Sequence, residues 1–322
     1  MIYEYGSGLA NDMHAFMAQK NALGFPYASG AYILSCFDKM CRDAFPAAAM
    51  LSKEICDFWG RKKPNENANA FRNRLSVVRE FGKYLNRNGV RAYVIPPNLA
   101  KKDAKQIPYI YTTEEISAIW QEFDELKPTK CSPARHLVFP AIIRMLYCCG
   151  LRPCEARKLE AADVDLAASR LFIRESKGRK DRIVMMAGSV AVYMRDYNER
   201  AGVFMPGRKY FFSNPSGGIY DASRLNAIFI KIRKKLGIYG TDICKPKLYG
   251  FRHSFATHRL YQWLKEGSEL DSMMPYLSAY MGHAQVTDTY YYIHLVPEQF
   301  EAMSGVDFGR YENLLPEVEC DE

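Results

Sequence analysis

The chain has 322 residues, 48% of them hydrophobic and 25% charged, with a formal net charge of +8. That length suggests about two domains, and the composition is that of a globular protein rather than a disordered or collagenous one. No run of about 18 apolar residues points to a membrane-spanning helix, and the start "MIYEYGSGLANDMHAF" has no basic region of the kind that opens a secretory signal.

The nine cysteines are odd in number and contain no Cys-x-x-Cys pair. This argues against a disulfide framework and a cysteine-rich zinc site, and reduced thiols in the cytoplasm are expected. The charge is unevenly placed. From Glu298 onward there are eight acidic residues and one basic residue, a net −7, which leaves +15 on the first 297 residues. A basic body with an acidic end suggests a polyanionic partner, nucleic acid first.

Residues 1–94 read as a helical domain. Leu9, Met13, Phe16 and Met17 follow helical spacing, as do Phe71, Leu75, Val78 and Phe81, and Asn88-Gly89 supplies a stop. Residues 95–111, rich in Pro and Lys, read as a linker. A second domain, 112–304, opens with Thr112 and Glu115 spaced as a capping box. "HLVFPAIIRMLYCCG" follows as a buried helix ended by Gly150. "RLFIRE" and "RIVMMA" read as two short strands flanking a polar turn, Ser176 to Asp181. Helical patterns return at 222–236 and 252–267, then in short segments near 272–281, 286–294 and 297–303. The expected class is mostly α with a small β-hairpin. Residues 305–322 form the acidic tail, in which Phe308, Tyr311, Leu314 and Leu315 keep helical spacing.

Polar residues collect at the element boundaries. Arg152 follows a helix-ending glycine in "GLRPCEARKL", with Glu155 three residues on. Lys177 lies in the hairpin turn "SKGRKDRIV". Arg252 sits near a helix start in "YGFRHSFATH". His283 follows Gly282, at another expected helix start, in "YMGHAQVTDTYYYIH". Taken singly, Arg152 and Lys177 have ordinary readings: an ion pair with Glu155 or another local acid, and a solvated turn lysine.

In this order the boxes resemble the catalytic set of the tyrosine recombinases, also called the phage integrase family. "GLRPCEARKL" is similar to the first arginine box and gives Arg152. "SKGRKDR" is similar to the hairpin GKGxKxR and gives Lys177. "YGFRH" is similar to HxLRH and gives Arg252, with Tyr249 where the family usually has His. "GHAQVTDTYYYIH" gives His283 and, nine residues later, Tyr292. The similarity spans about residues 110–300 and implies a helical core-binding domain ahead of a mainly helical catalytic domain.

The resemblance implies attack of the Tyr292 phenol on a phosphodiester of double-stranded DNA, giving a 3′-phosphotyrosyl link and a free 5′-hydroxyl. It implies no metal, ATP or other cofactor. It also implies a homotetramer on paired DNA sites, accessory bending or directionality proteins, a nucleoid location and a tail that docks on a neighbouring subunit, whereas charge alone reads that tail as a disordered solubilising end. Tyr249, with an ordinary pKa of about 10, is a poor base at neutral pH and leaves the general base unassigned. Three other readings stand beside this one: a type IB topoisomerase-like relaxing enzyme, a non-catalytic DNA-binding accessory protein of the same fold, and a metal-dependent nuclease built on His253, His258, His283 and His294.

Overall fold

The chain divides into two units, Met1–Lys105 and Gln106–Glu322; among the described residues the first holds one cluster of buried apolar side chains and the second holds two. The computed structural model describes residues 3–24, 27–99, 107–130, 132–174 and 181–293. Lys177, His294, the expected helix at 297–303 and the acidic tail lie outside them.

In the first unit, α1 (Ala10–Ala22), α2 (Ala28–Ala44), α3 (Lys53–Trp59) and α4 (Ala68–Arg87) bury one core. It contains Met13, Phe16, Leu34, Phe37, Leu75, Val78 and Phe81. The periodic residues of α1 and α4 therefore face inward, as their spacing predicts. Ser52 and Asn67 cap α3 and α4 by accepting the Ile55 and Ala70 backbone N–H groups. Buried Arg74 forms an ion pair with Glu66 and donates to the Trp59 and Arg61 carbonyls, which meets the cost of its burial.

The second unit contains α5 (Thr113–Asp124), α6 (Arg135–Cys148), α7 (Pro153–Lys158), α8 (Gly188–Phe204), α9 (Ala222–Lys235), α10 (Gly250–Lys265), α11 (Leu270–Met281) and α12 (Thr287–Tyr290). The Thr112–Glu115 capping box is present in both directions. The class is mostly helical with one small antiparallel sheet, of order β1-β2-β3. Its strands are β1 (Val164–Asp165), β2 (Arg170–Ile173) and β3 (Arg182–Met185). Ile173 pairs with Arg182 at the end of the β2–β3 ladder next to the connection between the two strands. Of the segment read as a linker, Ile95 belongs to the first core, whereas Tyr111 is buried in the second.

Three local expectations are revised. Residues 188–204, given no element above, form the long helix α8. His283 does not start a helix. Gly282, in the left-handed region at φ +66°, ends α11, and α12 begins only at Thr287. The turn at Gly282 is a Schellman arrangement, with His283 N–H donating to Ser278 O and Gly282 N–H to Ala279 O. The third revision concerns the helix expected at 286–294. Beyond Tyr290 the chain continues in three-residue turns, Tyr292 N–H to Thr289 O and Ile293 N–H to Tyr290 O. Threonines and three successive tyrosines are weak helix formers, consistent with this early end.

Gly150 ends α6 at φ +58°, and a Cβ there would meet the Phe255 ring of α10 at 2.6 Å. The left-handed conformation costs a non-glycine residue about 1–2 kcal/mol. Gly150→Ala should therefore lower stability by at least about 1–2 kcal/mol in denaturant unfolding, and Gly89→Ala, whose Cβ would meet nothing within 4 Å, should show only the backbone part of that loss.

Candidate active site

Three arginines meet at the end of α11. Arg152 is the N-cap of α7, Arg182 opens β3 and Arg252 lies in the first turn of α10. They reach three consecutive carbonyls. Arg182 Nε donates to Tyr280 O at 2.9 Å, Arg252 Nη2 to Met281 O at 2.5 Å and Arg152 Nη2 to Gly282 O at 3.0 Å. Arg252 Nη1 donates in addition to Gly150 O, at the end of α6, at 2.6 Å. The last carbonyls of a helix have no partner within the helix and carry the negative end of its dipole, so two helix termini provide a fitting seat for cations.

One carboxylate serves the group. Glu155 accepts from Arg152 N at 2.9 Å and Nη1 at 2.7 Å, and from Arg182 Nη1 and Nη2 at 2.9 Å each. Burial alone would raise the Glu155 carboxyl, but the bonds and charge of Arg182, then of Arg152, outweigh it and hold it at about 2. Among the described residues Arg252 has no ion-pair partner; it is fully buried and its Nε makes no hydrogen bond to them. Burial, and then the charge of Arg152, lower its pKa to about 10. It remains cationic at neutral pH. Among the described residues, three guanidiniums face one carboxylate in this cluster.

Tyr292 stands beside this cluster. It is 3% exposed and shares a hydrophobic cluster with Ala256, Leu260, Leu277 and Met281, whereas Tyr290 and Tyr291 are half-buried against that cluster. Burial raises the Tyr292 phenol above its usual range, opposed by Arg252. Its hydroxyl lies 3.1 Å from His253 Nδ1. The His283 ring lies nearly parallel to the Tyr292 ring, with centroids 6.0 Å apart, and His283 Nδ1 is 2.7 Å from Thr289 Oγ1. Tyr249, the N-cap of α10, is 39% exposed, beside Arg152 and edge-on to His253 at 4.9 Å.

Of the residues singled out by sequence, Arg152, Tyr249, Arg252, His283 and Tyr292 are thus gathered in one place. Lys177 falls outside the described residues, although β2 and β3, the stem of its hairpin, deliver Arg182 to Glu155. Arg182 had no assigned role, and the only clue was its place as the last residue of the GKGxKxR pattern. The histidines of the nuclease reading diverge. His258 Nδ1 is 2.8 Å from the Tyr147 hydroxyl, while His253 and His283 attend Tyr292 and Thr289. No group of three or more His, Cys, Asp or Glu among the described residues is arranged to hold a metal ion.

His253 is held neutral. Burial, then the Arg252 charge, lower its pKa to about 4. In the unfolded chain it would bind a proton near pH 6.5, so acidification favours unfolding and stability is lost as pH falls from about 6.5 towards 4. Glu155 acts in the same direction at lower pH, between about 4.5 and 2. Between pH 7 and 5 the His253 contribution amounts to about 2 kcal/mol. Denaturant unfolding of native protein and His253→Gln at both pH values should show the variant losing less by about that amount.

A profile of the phage integrase family matches residues 110–299. The chain is 30% identical over 265 residues to y4rB of Sinorhizobium fredii, a protein assigned as an integrase/recombinase, covering 80% of this chain and 84% of that one. It is 26% identical over 231 residues to the tyrosine recombinase XerC of Oceanobacillus iheyensis, covering 70% of each. In fold it is similar to the XerH site-specific recombinase bound to palindromic difH substrate in a post-cleavage complex, with a TM-score of 0.60, 18% identity and coverage of 88% of this chain and 80% of that one. With the family profile spanning more than half its length, the chain belongs to the phage integrase family, the tyrosine recombinases.

Proposed function

We propose that this chain cuts and rejoins double-stranded DNA at specific sites through a 3′-phosphotyrosyl intermediate, with Tyr292 as nucleophile. The observation that carries the reading is the buried arginine cluster beside a buried phenol. Among the described residues, Arg152, Arg182 and Arg252 gather around the single carboxylate of Glu155, and a phosphodiester is an anion suited to this positively charged place. Arginines stay cationic throughout and can bond nonbridging oxygens through two donors, which suits a transition state whose charge grows on those oxygens.

In this reading Tyr292 Oη attacks phosphorus and the 5′-oxygen leaves. Lys177 is assigned the role of general acid to that oxygen from its place in the hairpin motif. His283 holds the nucleophile-bearing turn through Thr289 and contacts the phosphate. Tyr249, next to Arg152, donates a hydrogen bond to phosphate instead of serving as the base. The covalent link conserves the energy of the broken bond, so another strand's 5′-hydroxyl can reseal it without a nucleotide cofactor. Recombination of this kind uses four copies on two DNA sites, and bending or directionality proteins would assist it. The place of action is the cytoplasm, on the nucleoid. The XerH relative was captured as a post-cleavage complex with DNA, the state this reading assigns to the present chain.

The test is the adduct. The chain incubated with nicked duplexes should yield a covalent complex whose phosphotyrosine maps to residue 292 by mass spectrometry. Tyr292→Phe should abolish the adduct and keep DNA binding, while Tyr290→Phe and Tyr291→Phe keep both. An adduct surviving in Tyr292→Phe overturns the assignment.

A further inference from the structure

Resting on the function just proposed, we infer that His253 is a catalytic residue of this chain, the group that orients the Tyr292 phenol and takes its proton during attack. Its Nδ1 is the one side-chain hydrogen-bond partner of the Tyr292 hydroxyl among the described residues, at 3.1 Å. His283 lies flat beside the ring and its Nδ1 is held by Thr289, and position 249, where the resembling motif has an imidazole, holds a phenol. Residues 249 and 253 are four apart, on one face of the start of α10, and their rings touch. The imidazole lacking at 249 is therefore present one turn further on.

The bond has a definite sense. The Tyr292 side chain is buried, and among the described residues its hydroxyl hydrogen finds a side-chain acceptor when Nδ1 is unprotonated and Nε2 carries the ring hydrogen. At neutral pH the neutral imidazole is the stable form. As Oη bonds to phosphorus, the phenol proton passes to Nδ1, the bond from phosphorus to the 5′-oxygen breaks, and that oxygen takes a proton from the separate general acid. The incoming phosphate sets negative charge against Arg252, the neighbour whose charge disfavours protonation of His253. Resealing runs the same transfers backwards.

The probe is DNA recovered by the protein itself. Nicked duplexes of random sequence that become covalently joined to the unaltered chain are sequenced, and the winning duplex is used throughout. His253→Gln keeps a polar side chain of similar size but cannot take the proton. Its single-turnover adduct formation should fall by about 100-fold or more, with duplex affinity within about 2-fold of native, which also reports that the variant is folded. Replacing the leaving 5′-oxygen with sulfur removes the need for a general acid. That substrate should restore Lys177→Ala and leave His253→Gln slow. Adduct formation by His253→Gln within about 3-fold of native, or rescue of it by the sulfur substrate, overturns the inference. Failure of the unaltered chain to join any duplex would instead sink the proposed function.

Discussion

The end of α11 is the constraint on which the rest of the site depends. Carbonyls 280, 281 and 282 each receive a different guanidinium, from the start of β3, the first turn of α10 and the cap of α7. Burying a guanidinium without partners is costly. Here the orphan acceptors of a helix terminus and the orphan donors of three side chains satisfy each other. Gly282 makes this possible by turning the chain in the left-handed region directly after the helix. Its missing side chain also matters, since a Cβ at Gly282 would meet Arg182 Cδ at 2.9 Å.

Neutral carbonyls hold cations without cancelling them. Had three carboxylates taken their place, the site would be electrically complete and indifferent to an anion. Among the described residues, Glu155 orients two of the arginines as a shared partner and the third keeps an Nε without a hydrogen bond. Among the same residues, the positive charge gathered here exceeds the negative charge that faces it, which is the condition the proposed phosphate binding draws on. The buried hydroxyl of Tyr292 sits at the edge of that imbalance, where developing negative charge is favoured by Arg252 and opposed by desolvation.

Most of the polar boxes were legible because each is local. Gly-Leu-Arg with Glu three residues later, Arg252 in the first turn of a helix, and nine residues from His283 to Tyr292 are short spacings that survive in one dimension. The pairs that join the boxes are long-range. Glu155 and Arg182 are 27 apart, and His253 and Tyr292 are 39 apart, and no periodicity links them. Helix α8 was illegible for a different reason. Its inward side is Ala191, Met194, Tyr197 and Ala201, while Val192, Val203 and Phe204 lie exposed, Val203 by 84%. With apolar residues on both faces, the helical stripe that reveals an amphipathic helix disappears. The capping box at Thr112 and the stop at Gly150 were readable because backbone geometry, rather than packing, dictates those residues.

The shared seat at the end of α11 also restricts how this domain can vary in length. Adding or removing one residue within α11 would turn its terminus by about 100° and move it along the axis. All three carbonyls would leave their arginines together, so the damage would not be confined to one contact. A longer α8–α9 connection, or a longer turn after Lys265, would leave those three carbonyls where they are. Insertions and deletions should therefore be scarce between Leu270 and Gly282 in chains that keep this chemistry, and freer in the loops that surround it.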